Sequence, residues 1–106
     1  MPYITLADMR TREPVPGFRG RFVHGDHLSI AYWDIDEGAS LPEHAHVHEQ
    51  VVNVVEGQLE MTAGGETRVL DAGVVLVIPS NVPHSARAVT ACRVIDVFQP
   101  VREDYR

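Results

Sequence analysis

From Leu28 onward the chain breaks into short segments rich in valine, isoleucine and aromatic residues: LSIAYWDI, QVVNVVE, QLEMTA, ETRVLD, VVLVIP and ACRVIDVF. Their separators contain Gly38, Gly57, the Gly64–Gly65 pair, Gly73 and Pro79, the residues that let a chain reverse between strands. No window sustains a helical period. At 106 residues there is enough chain for one core and too little for two. Short strands with glycine at the corners predict an all-β fold, a sandwich or barrel of the jelly-roll kind. Residues 28–98 form the expected barrel. Residues 1–20, with three prolines, read as a loosely structured N-terminal arm, and residues 99–106 as a C-terminal tail. The run VVLVI is apolar on both faces, more than one small barrel needs. That predicts a homodimer whose second copy covers the outer face.

Hydrophobic residues at 44 % and charged residues at 23 % exclude a disordered chain. The opening stretch MPYITLADMRTREPVPGF lacks an apolar run, so it reads as neither signal peptide nor membrane span. The expected compartment is the cytoplasm, with no membrane partner. A net charge of −6 argues against nucleic acid as partner, but a local cation inside a pocket can still attract a small anion. The one cysteine, Cys92, rules out an internal disulfide and sits in an apolar run as a buried thiol.

The stretch EHAHVHEQ places His44, His46, His48 and Gln50 at alternate positions. On a regular strand all four point to one face. Burying imidazoles with unsatisfied nitrogens costs about 1–3 kcal/mol per group, so a plain core is an expensive explanation. One divalent transition metal satisfies them together, because neutral imidazole ligates zinc, nickel, iron or copper and an amide oxygen can join it. His24 and His27, in the polar turn HGDH, read as solvent-exposed loop residues.

Two longer stretches carry a family resemblance. GASLPEHAHVHEQVVNVVEG resembles the first cupin motif, and GVVLVIPSNVPHSARA resembles the second, with Gly73, Pro79 and His84 at the expected offsets. The resemblance implies a double-stranded β-helix, the cupin jelly-roll barrel. It also implies one divalent metal (zinc, nickel, iron or manganese) held by His44, His46, Gln50 and His84, with His48 as the rival to Gln50. The usual first-motif glutamate is Gln50 here, and the usual second-motif glycine and asparagine are Asn81 and Ala88. Without an anionic protein ligand the metal keeps its full charge, which suits a Lewis acid that holds an anionic substrate.

The C-terminal stretch RVIDVFQPVREDYR is similar to the end of small single-domain cupins of the KdgF type, pectin-degradation proteins that open unsaturated uronates. That similarity implies pocket roles for three residues. Asp96 would be a proton shuttle, Phe98 would pack on the sugar face, and Arg102 would fork the substrate carboxylate. The spacing is compatible: Asp96 and Phe98 share a strand face with Cys92 and Val94, and Pro100 ends the strand so that Arg102 can fold back over the mouth. The implied reaction converts a 4,5-unsaturated galacturonate-type sugar acid to its linear 5-keto form. Two other readings need only the metal site: another cupin enzyme such as a dioxygenase or sugar isomerase, and a metal-dependent small-molecule binding protein without catalysis.

Overall fold

The computed structural model describes residues 1–106. Ten strands build two antiparallel sheets. In chain order they are β1 (Arg12–Val15), β2 (Phe18–His24), β3 (Ser29–Ile35), β4 (Ser40–His44), β5 (Glu49–Glu56), β6 (Gln58–Ala63), β7 (Glu66–Asp71), β8 (Val75–Ile78), β9 (His84–Ala88) and β10 (Cys92–Gln99). The larger sheet has the order β1-β2-β3-β10-β5-β8, and the smaller β4-β9-β6-β7. This is the jelly-roll arrangement of the expected all-β fold. The only helical elements are single 3₁₀ turns at Leu6–Asp8 and Glu103–Tyr105.

Side chains alternate across each strand, and one set from each sheet fills the space between them. Along β10 the buried set is Cys92, Val94, Asp96 and Phe98, and along β3 it is Ser29, Ala31, Trp33 and Ile35. The smaller sheet contributes Leu59, Met61, Leu70, Ala86 and Ala88. Toward one end of the sandwich the inward residues turn polar: Gln50, His84, Asp96 and Arg102 are all buried. A polar end inside an apolar sandwich is where a ligand belongs, since each group needs a partner there.

Two expectations require correction. Residues 1–20 are not a loose arm, because β1 and the start of β2 lie within them and Arg12 pairs in register with Gly20. The barrel therefore begins well before residue 28. The cause is the inward set Phe18, Gly20 and Phe22, a period-2 pattern interrupted by a glycine that makes room for an aromatic ring. A Cβ on Gly20 would lie 2.8 Å from the Trp33 ring. The second correction concerns His24, which ends β2 rather than lying in an open loop; His27 is exposed as expected. The His24 ring contacts the Ser29 hydroxyl through Nδ1 at 2.7 Å and the Tyr105 carbonyl through Nε2 at 3.1 Å.

The expected strand end at Gln99 is present, and beyond Pro100 the tail folds back across the polar end of the sandwich. It is tied there by several bonds: His48 Nε2 to the Val101 carbonyl, the Arg102 amide to Ser29 Oγ, and Arg12 and His24 to the Tyr105 carbonyl. If Gly20 exists to seat Trp33, Gly20→Ala should lower stability by about 1–3 kcal/mol through overpacking, read from urea unfolding midpoints.

Candidate metal centre

His44 closes β4 and His84 opens β9, and the two are register partners on adjacent strands of the smaller sheet. After His44 the chain leaves the strand, passes through the 45–48 connection, and re-enters the larger sheet at Glu49. The single regular strand expected over EHAHVHEQ is therefore broken. The break is what lets His46 swing toward His44 and His84, while Gln50 approaches from the opposite sheet. Asn81 pins the connection by donating its backbone N–H to the His46 carbonyl at 2.8 Å. It does so with φ of 66°, in the left-handed region that glycine and asparagine tolerate best. Asparagine thus fills the place where the family motif has glycine without losing the backbone geometry.

His44, His46 and His84 bring one ring nitrogen each within 4.8 Å of one another. Their protonation follows from the other ring nitrogen. Nδ1 of His44 faces the Pro42 carbonyl at 2.9 Å, Nδ1 of His46 the His48 carbonyl at 3.0 Å, and Nδ1 of His84 the Val82 carbonyl at 2.8 Å. A carbonyl only accepts, so each Nδ1 carries the hydrogen and each neutral ring directs a bare Nε2 lone pair inward. Burial holds His46 in the neutral form, its pKa pushed down to about 4 with help from the nearby Arg102 charge. Burial likewise lowers His84. The His84 Nε2 is buried with no hydrogen-bond partner, and the His46 Nε2 faces Gln50 Oε1 at 3.2 Å, lone pair toward lone pair. Convergent acceptors without a donor fit a cation, and imidazole nitrogens with an amide oxygen suit a divalent transition metal.

His48 does not join this group. It spends Nε2 on the Val101 carbonyl, so it anchors the tail. Gln50 is 6 % exposed and lies within the cluster.

Beside the histidines sits Asp96, 8 % exposed. Burial pushes its pKa up to about 7, against the pull of the Gln50 amide, the Trp33 indole and the Arg102 charge. The Trp33 Nε1–H donates to Oδ2 at 3.1 Å, while Oδ1 is buried without a partner. Arg102 does fold over the mouth, and the Nε side of its guanidinium is engaged by Asp104. Phe98 is 2 % exposed, with the Arg102 guanidinium 4.6 Å above its ring. The expected open face for a sugar is therefore occupied, and Phe98 supports the arginine instead. Sequence reasoning missed Trp33, Asp104 and Tyr105. Trp33 looked like ordinary core, and nothing in REDYR marked which residues would turn inward.

His46→Ala should remove most of the metal from reconstituted protein while the fold persists, and His48→Ala should leave metal content unchanged. Elemental analysis of the two purified variants checks both.

A cupin-domain family model matches residues 31–98. Among solved structures, an RmlC-like cupin from Shewanella frigidimarina superposes with a TM-score of 0.93 at 30 % identity, covering 98 % of this chain and 95 % of that one. KdgF from a Halomonas species also superposes with a TM-score of 0.93, at 29 % identity over 100 % of this chain and 99 % of that one. An uncharacterised protein of Streptomyces coelicolor is 28 % identical over 76 % of this chain and 77 % of its own length. The matched residues contain both histidine motifs and the strand that carries Asp96, so the chain belongs to the cupin family and is a small cupin of the KdgF type.

Proposed function

We propose that this protein converts 4,5-unsaturated galacturonate-type sugar acids to the linear 5-keto-4-deoxyuronate. The observation that carries the reading is Asp96, a buried carboxyl with one oxygen held by Trp33 and the other without a well-formed hydrogen bond, beside the Gln50 amide, three convergent histidines and an arginine. The substrate ring is a hemiacetal at C1 and an enol ether at C5. Opening it removes the anomeric hydroxyl proton, forms the C1 carbonyl, breaks the C1–O5 bond and leaves an enol at C5. A proton added at C4 then gives the 5-ketone, so the reaction is an isomerisation in which no atom is gained or lost.

In this reading His44, His46, Gln50 and His84 would hold one divalent ion, which when bound supplies Lewis-acid stabilisation of the negative charge developing at O5 and the carboxylate. Asp96 accepts the anomeric proton and returns a proton to C4. Its pKa, raised to about 7 by burial, suits both directions of transfer. Trp33 keeps the carboxyl oriented, and Arg102 binds the substrate carboxylate. The free volume of the cavity is about 50 Å³, room for a few waters. Its lining includes Arg102 and Tyr105, so in this reading the tail that carries them lifts to admit substrate.

Loss of enol-ether absorbance on unsaturated galacturonate measures this activity. Asp96→Asn should retain metal and lower kcat by roughly 10²–10⁴, since the loss falls on proton transfer. Unchanged kcat in a metal-loaded variant would remove Asp96 from the chemistry.

The protein also acts, in this reading, as a homodimer in the cytoplasm. Support for the dimer comes from the outer face of the larger sheet. Val77, Val51, Val97, Ile30 and Val23 follow one another in register across five strands, and Val75, Val77 and Val55 are exposed. A stable pairing would bury about 1,200–2,000 Å² in total. Light scattering should give twice the chain mass for wild type and a shift toward monomer for Val77→Glu.

A further inference from the structure

Arg102 is a full charge that is 8 % exposed, held by groups from β10 and from its own tail. Two aromatic rings pack against its guanidinium, with the Phe98 centroid 4.6 Å away and the Tyr105 centroid 4.4 Å away. Nε and Nη2 donate to the two carboxylate oxygens of Asp104 at 3.0 and 2.8 Å. A guanidinium offers a carboxylate two forked edges, the Nε side and the Nη1–Nη2 end. Asp104 takes the first, so the second is what remains for a ligand.

The direction of that free edge follows from its surroundings. The Asp104 side chain is 57 % exposed and lies on the outer side of the tail. Arg102 lines the same cavity as His44, His84 and Asp96, and its charge acts on His46, His84 and Asp96. The Asp104-bound edge thus lies toward the exposed side of the tail, while the arginine itself borders the cavity. We propose that Asp104 is a positioning residue that presents the Nη1–Nη2 edge of Arg102 to the carboxylate of a monoanionic sugar acid, an inference that rests on the uronate reading of this site. Asp104 lies two residues from Arg102 on the same tail, so the clamp travels with the arginine when the tail lifts for substrate entry. The opposite role, in which Asp104 occupies the arginine until substrate carboxylate displaces it, has the opposite consequence on removal. Clamping predicts weaker anion binding without Asp104; displacement predicts stronger binding.

Trp33 is the one tryptophan in the chain and lines the cavity, so its fluorescence reports occupancy. Metal-reconstituted wild type, Asp104→Asn and Asp104→Glu would each be titrated with galacturonate and with neutral galactose. Wild type should prefer galacturonate, and Asp104→Asn should weaken galacturonate binding about 10-fold, equivalent to about 1.4 kcal/mol, with galactose unaffected. Asp104→Glu should restore most of the galacturonate affinity. Equal or tighter galacturonate binding by Asp104→Asn, an equal loss of both sugars, or no preference for galacturonate in wild type would each overturn the proposal. Failure of the uronate-opening reading is separate: it shows as absent turnover of unsaturated galacturonate in a protein whose galacturonate binding still depends on Asp104.

Discussion

Three backbone carbonyls, those of Pro42, His48 and Val82, decide what the polar end of this sandwich can hold. By accepting the Nδ1 hydrogens of His44, His46 and His84 they leave three Nε2 lone pairs converging on one point. Side chains alone would not enforce this, because a neutral imidazole can carry its proton on either nitrogen. Everything around the centre serves the same arrangement. Pairing of β4 with β9 sets His44 against His84, the broken connection delivers His46, and Asn81 holds that connection in place. The cost is a cluster of acceptors without a donor, which in the absence of a cation opposes folding.

A second layer surrounds the pocket on its aromatic side. Phe18, Phe22, Trp33, Phe98 and Tyr105 meet mostly edge to face, with Phe22 and Tyr105 stacked at 4.4 Å. This cage does two chemical things at once. It orients the Trp33 N–H toward Asp96, and it gives Arg102 two rings to pack against. Asp96 and Arg102 are thus held in place by neighbouring side chains, which is what the proposed roles of proton shuttle and anion receptor require. The net charge of −6 is compatible with an anionic ligand because the buried arginine, Arg102, and a cation that the histidines suit set the local field in the pocket.

The sequence revealed strands wherever β-branched residues cluster. QLEMTA and ETRVLD coincide with β6 and β7, and ACRVIDVF with nearly all of β10. It hid strands built from other materials. Strand β4 contains Pro42, tolerated because β4 is an edge of the smaller sheet, and β9 reads HSARA, where alanines pack against the core in place of valines. His44 and His46 were legible because their spacing is local, His84 only through the resemblance of its stretch to the second cupin motif, and Asp96 because a carboxylate between VI and VF is locally conspicuous. Trp33 was not, since it reaches Asp96 only through the pairing of β3 with β10, nor was His24, whose Tyr105 partner arrives when the tail folds back; Asp104 is close to Arg102 in sequence, but nothing in REDYR marks which acid the arginine takes. For the same reason Phe98 looked like a surface for sugar when its ring is already covered by Arg102.

The proposed reaction comes down to one step, in which Asp96, a buried acid beside histidines suited to a divalent cation, moves a proton to C4 of an unsaturated uronate. Proton NMR of unsaturated galacturonate with the metal-reconstituted protein in D₂O tests it most directly. The account predicts disappearance of the vinylic H4 signal without oxygen uptake, and one deuteron at C4 of the 5-keto product, delivered to a single face. Persistence of the vinylic signal, or turnover that consumes oxygen, would contradict it.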